Sequence, residues 1–173
     1  MSYQEAKKHS DQIITFLKDE FPQIEFIALG SIRRQSSTVG DIDIAAKSEK
    51  SEKILDRFIQ YPENIQTINR GSKKASIKIY PDIRVDIMVQ PVKNFASLVQ
   101  HFTGSRQHNI LLRKHALSLG YSVSEYGIKD LKTGKINTFS TEEDLYHFLH
   151  LEYIQPQDRL GEKEIETAKK CYN

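Results

Sequence analysis

Apolar positions change their period repeatedly along the first ninety residues, and each change marks an element. Over residues 3–20, Ile13, Ile14 and Leu17 recur at helical spacing and Pro22 closes the segment, which predicts a helix. Residues 24–29 form an apolar run of strand length that ends in Gly30. Ser31 is then placed to cap a short helix through Arg33 and Arg34. Residues 40–46 alternate, with Ile42 and Ile44 apolar and Asp41 and Asp43 polar, the pattern of a strand with one buried face. A second helix opens at Ser51, with Ile54, Leu55, Phe58 and Ile59 as its buried stripe and Ser51 or Ser48 as its cap. Residues 65–68, 75–80 and 83–89 read as three strands, joined by turns at Gly71-Ser72 and Pro81-Asp82.

Pro91 ends this first unit, and the period becomes helical again beyond it. A helix is predicted near residues 95–102, followed by a turn at Thr103-Gly104. A longer helix over residues 105–119 is stopped by Gly120 in the C′ position. On that helix Leu112, Ala116 and Leu119 share a face that should pack inward. Arg106, Asn109 and Arg113, at i, i+3 and i+7, share one that should point outward. Residues 125–136 predict a hairpin around Thr133-Gly134. Thr141, followed by Glu142, Glu143 and Asp144, is the cap and acidic first turn of a last helix, with Leu145, Phe148 and Leu149 on its apolar side. No internal repeat or low-complexity segment interrupts the pattern.

Composition narrows the class. The chain has 173 residues, 38% hydrophobic and 28% charged, enough for one sizeable domain or two small ones. No apolar run approaches the roughly 18 residues of a membrane span, and the N-terminus lacks a signal peptide's apolar stretch, so a cytoplasmic protein away from membranes is expected. The only cysteine, Cys171, leaves no disulfide framework and no cysteine-based zinc site. Net charge is +2 but uneven: residues 93–135 hold seven basic side chains against Glu125 and Asp130, whereas residues 136–173 hold eight acidic against four basic. The basic stretch could hold a polyanion; an ordinary solvated face gives the same composition.

The candidate chemistry lies in the carboxylates. Asp41 and Asp43 fall on one face of their strand, roughly 7 Å apart at the Cα atoms, and Asp86 sits in a second strand-like run. Three carboxylates on adjacent strands suit a two-metal phosphoryl-transfer site, where hard cations stand about 3.5–4 Å apart. Gly30-Ser31, at a strand-to-helix turn, lets backbone approach phosphates closely. A lone Asp-x-Asp also arises on any solvated edge strand; Gly30-Ser31, Arg33-Arg34 and Asp86 together favour the metal site. Arg84, two residues before Asp86, should touch that carboxylate or a phosphate. Arg70, Lys73, Lys74 and Lys78 form a basic patch on a hairpin, fit either for DNA phosphates or for plain solvent. His101, His108 and His115 recur every seven residues, but that spans about 10.5 Å of helix, too far for one ion to bind two of them. His115 is read as structural.

These residues resemble a known family. Gly30-Ser31-Ile32-Arg33-Arg34, Gly40-Asp41-Ile42-Asp43, Arg84-Val85-Asp86 and His101-Phe102-Thr103-Gly104-Ser105 occur in the order and spacing of the family X DNA polymerases, the polymerase-beta-like group. Asn109, Arg113, Glu125-Tyr126-Gly127 and Leu151-Glu152-Tyr153-Ile154 continue the likeness, which runs over about residues 5–160. The Phe-Thr-Gly-Ser block and His108-Asn109 look most like bacterial members. The resemblance implies an α+β fold: a nucleotidyltransferase-type palm over 1–91, its mixed β-sheet flanked by helices, then a smaller α/β thumb over 92–173 that binds nucleotide and template.

The resemblance also implies roles. Asp41 and Asp43 would hold two Mg²⁺ ions, with Mn²⁺ able to substitute, and Asp86 would bind the catalytic one beside the primer 3′ hydroxyl; whether Asp86 is base or ligand stays open. Ser31 and Arg34 would hold the triphosphate, with Gly30 and Gly40 allowing its approach. His101, Phe102, Gly104 and Asn109 would meet the nucleotide, and Arg84, Arg106 and Arg113 the DNA. His101 stands where vertebrate repair members have tyrosine. The implied function is template-directed DNA polymerisation with deoxynucleoside triphosphates on primer-template or gapped DNA, in short-gap repair, by a monomer. The alternatives are a template-independent transferase, one acting on RNA or a small molecule, and a degenerate nucleic-acid-binding module, which would normally have lost a carboxylate. The lyase, helix-hairpin-helix and phosphoesterase modules of relatives are not expected in this chain. That makes it either a naturally minimal enzyme or an excised core, with a protein partner as one possible source of DNA grip.

Overall fold

A computed structural model describes residues 1–172, with side chains as far as Lys169, so the Cys171 side chain lies outside the described residues. The backbone divides into two compact units, Met1–Pro91 and Val92–Asn173.

In the first unit, α1 (Tyr3–Glu20) opens on a capping box: the Ser2 hydroxyl accepts from the Glu5 N–H, and the Glu5 carboxylate accepts from the Ser2 N–H at 2.8 Å. Five strands follow: β1 (Glu25–Ala28), β2 (Ile42–Lys47), β3 (Asn64–Arg70), β4 (Lys74–Ile79) and β5 (Ile83–Gln90). They pair in the order β1-β2-β5-β4-β3, with β2 and β5 parallel and the other neighbours antiparallel, so the sheet is mixed. Two helices interrupt them, α2 (Gly30–Arg33) and α3 (Ser51–Ile59).

Alternation decides which side of the sheet is core. Ile42, Ile44 and Ala46 of β2, Ala75, Ile77 and Ile79 of β4, and Val85, Ile87 and Val89 of β5 join one cluster with Ile13 and Leu17 of α1 and Ile54, Leu55 and Phe58 of α3. These are every second residue of their strands, so the helices cover one face and the intervening residues stand on the other. Burying the helix side chains against nine branched or small strand residues is what holds the unit together, at about 25 cal/mol for each Å² of apolar surface removed from water.

Two predicted caps are corrected. Leu29, not Ser31, holds the extended N-cap conformation of α2, and Ser31 lies inside the helix. Neither Ser51 nor Ser48 caps α3; the N-cap is Lys50, with no side-chain bond. The Ser51 hydroxyl donates instead to the Ser72 carbonyl at 2.7 Å, a tertiary acceptor that competes with the helix end.

The second unit contains α4 (Val92–Thr103), α5 (Arg106–Ser118), a three-stranded antiparallel sheet of β6 (Tyr121–Ser124), β7 (Gly127–Asp130) and β8 (Ile136–Asn137), then α6 (Glu142–Phe148), a 3₁₀ turn (Pro156–Asp158) and α7 (Glu164–Tyr172). Ser105 and Thr141 cap α5 and α6 through their hydroxyls, Thr141 as its sequence position predicts. Leu112 and Ala116 of α5 join Val123, Ile128, Leu145, Tyr146 and Leu149 in its core.

The hairpin expected around Thr133-Gly134 joins β7 to β8, and a second hairpin turn at Glu125-Tyr126 joins β6 to β7. One expectation fails. Leu119 is 38% exposed, because α5 ends one residue before it and its side chain leaves the inward stripe. The sequence pattern predicts no helix over α7; among its described side chains Ile165 and Ala168 join the core, too few to show a period. Among the described residues no helix is long and apolar enough to cross a membrane.

Candidate active site

The polar face of the first sheet gathers the predicted carboxylates. Parallel pairing of β2 with β5 sets Asp43 opposite Asp86, and the antiparallel β4 brings Ser76 opposite Asp86 on the other side. Asp41 is exposed, two residues before Asp43. Asp86 is 6% exposed and held by cations: Arg84 Nε donates to its Oδ1 at 3.0 Å and Lys74 Nζ stands 2.9 Å from its Oδ2. Burial pushes the Asp86 pKa up, but hydrogen bonds from Ser76, Arg84 and Lys74 outweigh it and hold the group below the ordinary carboxylate value. Asp43 goes the other way. Burial, then the charges of Asp41 and Asp86, push it up to about 6, against the counter-pull of Lys74 and Arg84.

Among the described residues, no three His, Cys, Asp or Glu side chains converge as a ready metal cage. Of the carboxylates expected to form a clamp, Asp43 and Asp86 are strand-paired, Asp41 lies two residues upstream of Asp43, and Asp86 is drawn to side-chain cations. The donor set still fits hard divalent ions. It is all oxygen, and repulsion from Asp41 and Asp86 adds to burial in raising Asp43, a repulsion that a bound cation would remove.

Around this face, Gly30 opens α2 at φ 57°, a left-handed conformation that a side chain would oppose at this tight strand-to-helix turn. Ser31 and Arg34 follow on the same turn, partly buried, and Gly40 is exposed with open space where a Cβ would stand. The basic hairpin is mostly committed to internal partners: Arg70 Nη2 pairs with Asp56 at 2.7 Å, Lys78 with Asp82 at 2.7 Å, and Lys74 with Asp86. It is not the open cationic patch that its composition suggests. Lys74 and Ser76, now seen to hold Asp86, could have been found by setting the β4 and β5 patterns in antiparallel register.

In the second unit, His101 and Phe102 lie near the end of α4, their rings edge to face at 4.9 Å. Burial lowers the His101 pKa, and Arg113 adds to this against the opposing carboxylate of Glu125. Gly104 has φ 67° at the bend into α5, and the Gly104-Ser105 peptide is cis. Arg106 and Arg113 are exposed on α5. Asn109 is not with them. It is 8% exposed, its Oδ1 accepts from Gln100 at 2.9 Å, and its Nδ2 donates to the His101 carbonyl at 2.7 Å. Asn109 is held by the last turn of α4 across the Gly104 bend, so a position that helical spacing grouped with the arginines is turned inward. His115 is structural: it is buried, and its Nε2 meets the Leu149 carbonyl at 2.7 Å.

Comparison with known proteins bears on the same two segments. The family model for the DNA polymerase beta palm matches residues 1–79, and that for the DNA polymerase beta thumb matches residues 98–160. The chain is 32% identical, over 146 residues, to the DNA polymerase/3′-5′ exonuclease PolX of Bacillus subtilis (strain 168). The chain belongs to the polymerase-beta-like family X. That assignment accounts for the mixed sheet with its covered and polar faces. The PolX match covers 83% of this chain and 26% of that protein. A second family X relative, DNA polymerase lambda of Rattus norvegicus, is 26% identical over 171 residues, covering 80% of this chain and 29% of its own length. DNA nucleotidylexotransferase of Monodelphis domestica is 35% identical over 91 residues, covering 51% of this chain and 17% of its own. The chain thus spans under a third of the length of these relatives.

Proposed function

We propose that this family X core adds deoxynucleotides to a primer 3′ end under the direction of a template, as a DNA polymerase acting in short-gap repair. The observation that carries the reading is the pairing of Asp43 with Asp86 across parallel strands, with Asp41 close enough in charge to help raise Asp43. Residues 1–91 act as the palm and residues 92–173 as the thumb.

Family membership implies a divalent metal, and we assign two Mg²⁺ ions to Asp41, Asp43 and Asp86. Bound there, such ions supply Lewis-acid stabilisation of the charge that develops on phosphoryl oxygens. The chain's own residues do the rest. Asp86, kept ionised by Ser76, Arg84 and Lys74, stays available as an acceptor at neutral pH. Arg84 is exposed and can exchange Asp86 for a primer phosphate, and Ser31 and Arg34, with the Gly30 backbone, hold the triphosphate. Phe102 offers a flat ring to the sugar, His101 a nitrogen to a sugar or phosphate oxygen, and Arg106 and Arg113 charge to the DNA.

Primer extension on gapped, nicked and template-free DNA tests the reading, run with the wild type and Asp86→Ala. Extension should follow the template on gapped DNA. The variant should lose on the order of 10³ in rate while DNA binding persists, because phosphoryl transfer rests on positioning and charge stabilisation. Near-normal extension by Asp86→Ala sinks the assignment. Likeness to a nucleotidylexotransferase favours template-independent addition as the second reading, and extension of the template-free strand alone would establish it.

A further inference from the structure

Behind the His101-Phe102 block lies a buried polar chain that the proposed reaction does not use. His108, fully buried on α5, places Nδ1 2.9 Å from Glu164 Oε1 of α7 and Nε2 2.8 Å from the Tyr146 hydroxyl of α6. The Tyr146 phenol also interacts with the Gln100 amide of α4. Gln100 Nε2 donates to Asn109, and Asn109 Nδ2 donates to the His101 carbonyl. Six residues on four helices thus form one connected path, and it ends on two residues assigned to the nucleotide.

The donors along this path can point only one way. Glu164 already accepts from the Gly161 and Glu162 N–H groups at 2.7 Å each and is held below the ordinary glutamate value, so it is an ionised acceptor. His108 must therefore donate from Nδ1. With the ring neutral, Nε2 is then an acceptor, and the Tyr146 O–H must donate to it. Burial keeps the ring neutral, with its pKa lowered to about 4. The Tyr146 oxygen is left to accept, and the Gln100 amide, whose Nε2 donates to Asn109, lowers the phenol's pKa against the pull of burial. Reversing any bond sets two donors or two acceptors face to face inside the core, at the full desolvation cost of each.

We propose that His108 is a positioning residue for nucleotide binding, acting through Tyr146 and Gln100 to fix the Asn109 amide and the His101 carbonyl. This rests on the reading of residues 92–173 as the nucleotide-binding unit. The helical periodicity of α5 gives no hint of it, since a histidine on an apolar stripe looks like plain core.

Two measurements test the proposal. Long-range ¹H–¹⁵N spectra of the intact chain at pH 7 should show His108 as the Nδ1–H tautomer, the minor form of free imidazole; an Nε2–H ring overturns the path. In steady-state extension, His108→Phe keeps the volume but removes the acceptor for Tyr146. It should raise the nucleotide KM about fivefold, the worth of one net hydrogen bond, with kcat within about twofold. His108→Gln, which restores an acceptor, should return KM toward wild type, and His108→Phe combined with Asn109→Ala should be no worse than Asn109→Ala alone. An unchanged KM in His108→Phe, or effects that multiply in the double variant, overturns the proposal. Wild-type chain that incorporates no nucleotide sinks the transferase reading instead. The tautomer spectrum needs no turnover and separates the two failures.

Discussion

Asp43→Asn measures the cost of keeping a carboxylate charged where burial, and then the charges of Asp41 and Asp86, oppose it. The folded carboxyl holds its proton up to about pH 6, whereas the unfolded one releases it near 3.8. Between those values the folded chain binds more protons, so its stability declines as pH rises, and the whole cost is present above pH 6. At about 1.4 kcal/mol for each pH unit of the gap, the cost is about 3 kcal/mol. Asparagine matches the protonated acid in shape and carries no charge. In chelator, the variant should therefore be more stable than wild type by about 2–3 kcal/mol at pH 8, and equal to it near pH 4. Urea unfolding followed by circular dichroism at both pH values measures this, and added Mg²⁺ should stabilise the wild type far more than the variant. If Asp43→Asn is destabilising by the same amount at pH 4 and pH 8, burial and the neighbouring carboxylates do not raise Asp43 as argued.

Other outcomes are equally open to measurement. Gly127→Ala should destabilise the second unit by about 3 kcal/mol in thermal or urea unfolding, because φ is +140° and a Cβ would stand 2.4 Å from the Asn137 carbonyl oxygen. Glu142→Ala should cost about 3–5 kcal/mol by leaving the guanidinium of Arg159, fully buried and 2.9 Å from that carboxylate, without its counter-ion. DNA affinity should fall with salt at a log–log slope of about −0.9 for each phosphate contacted, and Arg113→Ala should reduce that slope by about 1. A flat salt response in fluorescence anisotropy would place the affinity elsewhere.

What the sequence made legible followed from period and from turn chemistry. The strict alternation around Asp41 and Asp43, the helical stripe of α3 and the break at Pro91 each state one local rule, and the structure obeys them. What stayed hidden depends on which element lies next to which. Helical spacing groups Asn109 with Arg106 and Arg113, and only its hydrogen bonds to Gln100 and the His101 carbonyl show that Asn109 faces inward. Lys74 reads as a surface lysine until β4 is laid in register beside β5, where it reaches Asp86. Ser51 has the right residue type for a cap, yet its hydroxyl goes to Ser72, a partner twenty-one residues away.

The two faces of β2 also bear on how this chain can change. Ile42, Ile44 and Ala46 pack the core while Asp43 between them stands opposite Asp86 on the other face, where the proposed reaction would use it, so the two tasks are written into alternate letters of one short word. Exchange of Asp43 for a side chain of similar size leaves the packing beneath in place, which would let such a reaction be tuned while the scaffold stays constant. Gain or loss of a single residue within that strand is another matter. It would turn Asp43 into the apolar interior and put isoleucine opposite Asp86, destroying the scaffold and the proposed site together. Variation at this strand should therefore accumulate as substitutions on one side and almost never as changes in length.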